Sequence, residues 1–262
     1  VRYLPEKAVY AFERNGLKIR TEFTLPPRGK ELAMRFTVEN TRKTPVKLRL
    51  NPYLIPYVNL STLAPWDKNE WYLRTGYAAA DRRRVFWTQL LNPSGDVSKR
   101  RTMVLLTPAE DLHTVEISLE KLVGSGSLQC PQNALGAPLR MDASCDVRFG
   151  QYRQENQLYG CPPVYAMQYD WLLAPGETKT LVQSLSLPAQ DENGDMPQEK
   201  TALAAQRWFE PDFFDENCRA QQARYQSIFA KNSIRTPDAD FNAYMNYWIP
   251  MQLEWIASLD RG

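Results

Sequence analysis

The chain has 262 residues, and its 32 basic and 30 acidic side chains leave a formal charge of +2. This length can bury one large β domain or two smaller domains, while the balanced charge argues against nucleic acid as a partner. Apolar residues never run for the roughly 18 positions that a membrane span needs, so neither a membrane partner nor a signal peptide is predicted.

The four cysteines predict no metal cluster, because Cys130, Cys145, Cys161 and Cys218 lack the paired spacing of such sites. Reduced thiols in a cytoplasmic protein without a cofactor are the simplest interpretation. The chain begins at Val1 with a strand-like pattern, from which we expect further residues upstream.

Residues 1–187 are predicted to form one antiparallel β-sandwich domain. Asn15-Gly16 separates two extended segments and indicates a hairpin. Apolar and polar residues alternate along residues 32–39, which is typical of a strand with one buried face. Residues 174–177 (Ala-Pro-Gly-Glu) are predicted to join two strands as a second hairpin. Further strands are predicted at residues 46–50, 102–107, 114–119, 164–173 and 178–187.

Beyond the strands, residues 188–235 are predicted to form a polar linker and a helical pair, with helices at residues 199–209 and 211–231. Residues 236–262 are predicted to form one further, incomplete helix. Thr236 can cap its start, Pro237 suits its first turn, and Pro250 is expected to kink it.

The last helix has an aromatic face that no later element covers. Its apolar residues recur three or four positions apart. They are Phe241, Tyr244, Met245, Trp248, Ile249, Trp255, Ile256 and Leu259. We therefore expect it to be the first helix of a domain that continues beyond the chain.

The residues on their own single out no catalytic centre. His113 is the one histidine, which makes a zinc site built on several histidines or a Ser-His-Asp triad improbable. No glycine-rich phosphate loop occurs, and no spacing marks a pair of carboxylates. The run Arg82-Arg83-Arg84 can contact a phosphate or a carboxylate, although a solvated strand end is favoured.

Aromatic residues are the candidate sugar contacts, since sugar rings pack on aromatic faces. Trp66, Trp71 and Trp87 can serve in this way, with core packing as the alternative for each. In the last helix, Gln252 interrupts the apolar stripe, so its amide either joins helices or faces a cavity. Asp260 and Arg261 either pair with each other or reach a ligand.

Several motifs occur in the order found in one enzyme family. Thr236-Pro237-Asp238, then Asn246-Tyr247-Trp248 and Gln252, resembles the start of the catalytic barrel of the family 94 glycoside phosphorylases. This family includes cellobiose, chitobiose and 1,2-β-oligoglucan phosphorylases, and residues 248–262 resemble the last type most. Upstream, the pair Glu31 and Asn40, the loop at residues 122–135 and the turn at residues 172–177 resemble the family's N-terminal domain. The resemblance covers essentially the whole chain.

The resemblance implies a mainly β fold: a large antiparallel supersandwich of galactose-mutarotase-like type, then linker helices and the first helix of an (α/α)6 barrel. In this family inorganic phosphate is the co-substrate and attacks the anomeric carbon with inversion, while an Asp acts as general acid. That Asp lies beyond residue 262, so no catalytic residue is assigned here. The implied partners are a β-glucan oligosaccharide, the rest of the barrel and a second subunit.

Two hypotheses of different classes therefore stand. In the first, the chain is the N-terminal part of a glycoside phosphorylase, inactive alone, that supports dimerisation and the substrate entrance. In the second, it is a free-standing carbohydrate-binding or assembly module; a purely structural sandwich is a third possibility. The predicted substrate-binding residues are Trp248, Gln252, Asp260, Arg261, Trp66 and Trp71.

Overall fold

Two antiparallel sheets form most of the computed structural model, which describes residues 1–27, 29, 31–58, 73–80, 82–90, 101–134, 153–154, 157–188, 206–231 and 233–259. The large sheet has ten strands in the order β1-β2-β3-β4-β14-β9-β8-β7-β12-β11. The small sheet has the order β10-β13-β5, with β6 paired to β13. The predicted mainly β class with large antiparallel sheets is confirmed.

The strand bounds are as follows. The large sheet contains β1 (Arg2–Tyr3), β2 (Ala8–Arg14), β3 (Leu17–Thr24), β4 (Glu31–Asn40), β7 (Leu73–Ala80), β8 (Arg83–Leu90), β9 (Arg101–Pro108), β11 (Arg153–Gln154), β12 (Gln157–Tyr159) and β14 (Thr178–Ser186). The small sheet contains β5 (Val46–Leu50), β6 (Tyr53–Leu54), β10 (Leu112–Ser118) and β13 (Pro163–Leu173).

The helical elements are short before the last strand and longer after it. Helix α1 (Leu119–Val123) and a 3-10 turn (Gln132–Ala134) follow β10. After β14 come a 3-10 turn (Gln206–Phe209), helix α2 (Phe213–Phe229), helix α3 (Ala239–Ala243), a π-helical turn (Tyr244–Trp248) and helix α4 (Ile249–Leu259). Among the described residues no helix combines the length and apolarity that crossing a bilayer requires.

The main core lies between the two sheets. Alternate residues of each strand face inwards, and burying each large side chain contributes about 2 kcal/mol. The large sheet supplies Met34, Val38, Phe86, Leu105 and Leu181. The small sheet supplies Val115, Ile117, Tyr165, Met167, Tyr169, Trp171 and Leu173. The two sheets are thus the layers of a sandwich.

The predicted hairpin at Asn15-Gly16 is confirmed. β2 pairs with β3 from Ala8 opposite Phe23 to Arg14 opposite Leu17. Asn15 and Gly16 have φ angles of 52° and 68°, the left-handed conformation that a two-residue turn between twisted strands requires.

The second predicted hairpin, at residues 174–177, is wrong. β13 belongs to the small sheet and β14 to the large one, so the chain crosses between the layers at this turn. The buried side chain of Asn40 holds the crossing, because its Nδ2 donates to the carbonyl oxygens of Leu173 (3.1 Å) and Ala174 (3.0 Å). The Asn40 backbone also accepts from Gly176 N (2.8 Å) and donates to Glu177 O (2.9 Å).

β4 also differs from its prediction, since its outer face is covered around Ala33. Met34 and Val38 face the inter-sheet core, as the alternation predicts. On the other face Ala33 is buried in a second core with Trp208 and Phe214 of the helical segment. The helical segment packs on this part of the outer face of the large sheet, so tertiary packing buries a stretch that the alternation leaves to solvent.

A buried ionic cluster joins this outer face to α2. Glu22, whose side chain is 1% exposed, accepts from Lys7 (2.9 Å), Arg20 (2.7 Å) and Arg35 (2.8 Å). Arg35 also donates two hydrogen bonds to Asp215 of α2, at 2.8 and 2.9 Å. Its guanidinium lies 4.1 Å above the ring of Phe214. One arginine therefore connects β3, β4 and α2.

The ionic cluster sets the protonation of its acids. Burial raises the pKa of Glu22, but the hydrogen bonds from Lys7 and Arg35 outweigh burial, and the pKa lies below its usual value. The hydrogen bonds from Arg35 lower the pKa of Asp215. Both carboxylates are therefore charged in the folded protein.

Neutral hydrogen bonds complete the junction. Asn217 Nδ2 donates to Thr24 Oγ1 (3.1 Å) and to Leu25 O (3.0 Å), and Gln221 Nε2 donates to Leu25 O (2.8 Å). In the preceding turn, Trp208 Nε1 donates to Glu31 Oε2 at 2.6 Å.

We predict that Asn40→Ala lowers the free energy of unfolding by about 2 kcal/mol, because buried carbonyl groups at the sheet crossing lose their donor. Urea unfolding followed by tryptophan fluorescence measures the change. Thr37→Ala on the same strand is the control and is expected to change stability by less than about 0.5 kcal/mol. Equal effects of the two substitutions would contradict the assigned role of Asn40.

We predict that Glu22→Gln lowers the free energy of unfolding by about 3 kcal/mol at neutral pH, since it leaves Lys7 and Arg35 without their buried anion. The pKa values of Glu22 and Asp215 are depressed in the folded state. Their stabilisation is therefore complete above the unfolded pKa values of 4.5 and 3.8 and is lost as the pH falls through the lower folded values.

Urea unfolding at several pH values from neutral down to the acidic limit tests this prediction. The wild type loses stability in the acidic range, and Glu22→Gln shows a weaker pH dependence. The control is Glu39→Gln, which removes the exposed ion pair between Glu39 and Lys18, whose charged atoms lie 3.6 Å apart. This substitution is expected to lower the free energy of unfolding by less than about 1 kcal/mol. The same pH profile for both variants would contradict the cluster's role.

Candidate functional site

The last helical segment forms one side of an apolar cleft that we call the aromatic groove. Its volume is about 660 Å³. Its other side is formed by the start of the chain and the end of α2. The lining residues are Tyr3, Leu4, Pro5, Phe229, Ala243, Tyr244, Tyr247, Trp248 and Met251.

Helix α3, the π-helical turn and α4 follow one another without a break, and together we call them the groove helix. Side-chain hydrogen bonds fix the segment that leads into it. Asn246 accepts from Ile234 N (2.7 Å) and donates to Ile234 O (2.8 Å). Asn242 does the same one turn earlier, accepting from Thr236 N and donating to Thr236 O, both at 2.8 Å. Residues 234–236 therefore run back along the helix that follows them.

The cap of this helix corrects one prediction. Asp238, not Thr236, is the N-cap, because its Oδ1 accepts from Asp240 N (2.9 Å) and Phe241 N (3.0 Å). The hydroxyl of Thr236 instead contacts Asn242 Oδ1 at 3.0 Å. Thr236 belongs to the segment 234–236 that runs back along the helix, and it lies two residues before Asp238. Its hydroxyl therefore does not reach the first free N–H groups of the helix.

Pro250 is accommodated by a wider turn and does not end the helix. Proline has no N–H to continue the α pattern, and the preceding residues, Tyr244–Trp248, form a π-helical turn. Ile249 N donates to Tyr244 O, five residues earlier. The chain then continues as α4 to Leu259.

α2 connects the groove helix to the sandwich. The ring of Tyr247 meets Phe229 edge-on, with centroids 5.2 Å apart, and Phe229 stacks on Tyr225 at 5.9 Å. Arg224 forms an ion pair with Glu254 of α4 and donates to Pro27 O at 3.0 Å. The groove helix is thus tied through α2 to the loop after β3.

The groove presents aromatic faces with few polar atoms. Tyr244 is 51% exposed, Tyr247 56% and Trp248 52%. The described lining residues carry phenol hydroxyls, one indole N–H and no charged side chain. Such a surface suits the CH face of a sugar ring or the apolar face of another helix.

Of the six predicted substrate-binding residues, the structure describes two. Trp248 lines the groove, whereas Gln252 is half-buried on α4 and does not line it. Trp66, Trp71, Asp260 and Arg261 lie outside the described residues. Trp87, a further candidate sugar contact, is instead buried in the core with Trp208 and Phe214. The sequence reasoning missed Tyr3, because no local pattern connects the first strand with the last helix.

The arginine run separates into different environments. Arg84 lies in β8 and donates to Arg83 O (3.3 Å), while the Arg83 guanidinium lies 4.5 Å from the ring centre of Phe209. Arg82 is exposed in the turn between β7 and β8.

The described residues behind the family resemblance act as structural joints. Glu31 binds Trp208 in the helical segment, and Asn40 holds the sheet crossing. In the loop after α1, Asn133 donates to Lys121 O, and Ala134 O accepts from Asn51 at 2.8 Å. These side chains fix where each part of the chain meets the next.

No protein-family model matches the chain, and no curated protein matches it. Among solved structures, it is similar to a putative kojibiose phosphorylase from the human microbiome, with a TM-score of 0.41 and 12% identity over 84% of this chain and 23% of that one. It is also similar to a polysaccharide lyase, with a TM-score of 0.35 and 12% identity over 70% of this chain and 22% of that one.

A third similar structure is a putative aldose 1-epimerase from Klebsiella pneumoniae, with a TM-score of 0.35 and 10% identity. That match covers 75% of this chain and 54% of the epimerase. The chain therefore spans less than two thirds of each of these three proteins. Scores at this level describe a loose likeness between folds and carry no functional information.

We predict that Asp238→Ala weakens the start of the groove helix by about 1 kcal/mol, because the N–H groups of Asp240 and Phe241 lose their acceptor. Hydrogen exchange read by NMR should show these two amides exchanging about fivefold faster. Asp240→Ala is the matched control, since it removes a first-turn carboxylate and leaves the cap. Equal acceleration in both variants would show that charge, not the cap, is responsible.

Proposed function

We propose that this chain is the non-catalytic N-terminal part of a carbohydrate-active glycoside phosphorylase of the family 94 type. Its two sheets would be the family's galactose-mutarotase-like sandwich. The complete cytoplasmic enzyme would cleave a β-glucoside or β-glucan oligosaccharide with inorganic phosphate and invert the anomeric carbon. The general acid Asp and the phosphate-binding residues would lie outside these 262 residues.

The observation that carries the proposal is where the motif residues lie. Glu31 joins the sandwich to the linker turn, Asn40 joins the two sheets, and Asn246 with Asp238 fixes the start of the groove helix. Motifs at the joints specify how successive parts are arranged. This supports the family's order of sandwich, linker helices and barrel helix.

The aromatic groove is the proposed contact with the rest of the enzyme. Its half-exposed rings lie on a helix that is connected through α2 and the ionic cluster of Glu22, Arg35 and Asp215 to the sandwich. In the proposal the remaining barrel helices cover part of this face. Trp248 and Gln252 then border the substrate entrance, and a second subunit packs on the sandwich.

The alternative is a free-standing carbohydrate-binding or assembly module. The exposed Tyr244 and Trp248 favour this module as much as they favour the enzyme. Aromatic faces can bind a sugar without cleaving it, and the described lining of the groove has no carboxylate. The two functions differ in turnover by the complete gene product.

We predict that the 262-residue chain releases no sugar 1-phosphate from β-linked glucose disaccharides and inorganic phosphate, since the described lining of the groove has no carboxylic acid to protonate a leaving group. Coupled detection of sugar 1-phosphate is the assay. The same assay on the product of the complete gene is expected to show phosphorolysis. Phosphorolysis by the 262-residue chain alone would contradict the proposal. A lack of phosphorolysis by the complete gene product would contradict it as well.

In the complete enzyme, Trp248→Ala is expected to lower kcat/KM about tenfold through loss of aromatic contact at the substrate entrance. Tyr57→Ala is the control, because this tyrosine is 70% exposed and does not line the groove. Saturable oligosaccharide binding without turnover by the complete product would instead support the module.

A further inference from the structure

A second and larger cleft lies away from the aromatic groove, and we call it the turn cleft. Its volume is about 860 Å³. One side is formed by the β7–β8 and β9–β10 turns, which are joined by a hydrogen bond from Ala109 N to Arg82 O (2.8 Å). The other side is the turn after Gln206–Phe209. The side chains used below are Arg82, Arg83, Glu110, Thr180, Phe209 and Glu210.

Three of the four charged groups of this cleft have no side-chain hydrogen bond or ion pair with the described residues, and the fourth contacts an aromatic ring. Within the described part of the chain, Arg82, Glu110 and Glu210 form no hydrogen bond or ion pair through their side chains. Arg83 contacts the ring of Phe209, and among the described residues it pairs with no carboxylate. By contrast, Arg35 and Arg224 each bind a carboxylate. The cleft therefore holds two guanidinium and two carboxylate groups that remain available to a ligand.

The balance of these groups determines the class of ligand. Two arginines would attract a phosphate or an acidic sugar, but the two glutamates would repel it. A neutral sugar has no such conflict, because each hydroxyl donates one hydrogen bond and accepts others. Guanidinium groups supply donors, carboxylates supply acceptors, and Thr180 and Phe209 add a hydroxyl and an aromatic wall. The volume lies within the usual range of about 300–1,000 Å³ for ligand pockets.

We propose that the turn cleft binds a neutral oligosaccharide, as a carbohydrate contact separate from the aromatic groove. Among the residues that the structure describes, the two clefts share no lining residue. The inference rests on the carbohydrate function proposed above. The sequence analysis favours a solvated strand end for Arg82 and Arg83. In this proposal their guanidinium groups donate hydrogen bonds to sugar hydroxyls.

Calorimetric titration of the 262-residue chain with cello- and 1,2-β-gluco-oligosaccharides tests the proposal. The wild type binds saturably, and the double variant Arg82→Ala/Glu110→Gln binds about tenfold more weakly, because hydrogen bonds to charged groups are lost. The control is Lys18→Ala/Glu39→Gln, which removes one cation and one carboxylate from an exposed pair elsewhere on the sheet. Its affinity is expected to match the wild type.

Three outcomes would overturn the proposal: no saturable binding by the wild type, equal affinity of the double variant and the wild type, or an equal loss in the control. A parallel titration with inorganic phosphate covers the anion alternative. Phosphate binding that depends on Arg82, without oligosaccharide binding, would also overturn it.

The phosphorolysis assay separates this inference from the proposed function. If the complete gene product lacks phosphorolysis but oligosaccharide binding still depends on Arg82 and Glu110, the enzyme proposal fails and the turn cleft stands. If phosphorolysis is present and the double variant binds as the wild type does, the enzyme proposal stands and the turn cleft fails.

Discussion

The arrangement of this protein depends on one buried ion cluster. Glu22 lies on the outer face of the large sheet, where an isolated carboxylate would be strongly destabilising. Lys7, Arg20 and Arg35 compensate its charge, and Arg35 extends the contact to Asp215 of α2. Because Arg35 must stay within hydrogen-bond distance of both the buried Glu22 and the half-exposed Asp215, the cluster favours one position of the helix on the sheet. Apolar packing alone would allow it to slide.

A second constraint makes the sandwich from two sheets of unequal size. The chain passes from the small sheet to the large one between β13 and β14, and Asn40 satisfies the backbone groups at that crossing. The ten-stranded sheet then carries an apolar core on each face. One core lies against the small sheet and the other against Trp208 and Phe214. The helical segment is accordingly part of the folded body of the sandwich and not an appended tail.

These constraints divide the surface into chemically different regions. The described lining of the aromatic groove is mostly apolar, with phenol hydroxyls and one indole N–H as its polar side-chain groups, so it suits contacts made by apolar area. The turn cleft combines cations, carboxylates and a hydroxyl, so it suits a ligand with many hydroxyls. The outer face of the large sheet supports the elements that border both clefts, so each cleft has a defined shape. The described lining of the aromatic groove contains no carboxylate.

The sequence by itself determined the features that depend on neighbours along the chain. Strand alternation, the Asn15-Gly16 turn and the periodic helix from 213 to 229 follow from local backbone preference and were predicted correctly. It also predicted Trp248 on an aromatic helix face. Only the tertiary structure decided which sheet each strand joins, that the helical segment covers the outer face of β4 around Ala33, and that Tyr3 and Trp248 line the same groove. Those outcomes depend on contacts between distant residues, such as Arg35 with Asp215, whose pairing no local pattern encodes.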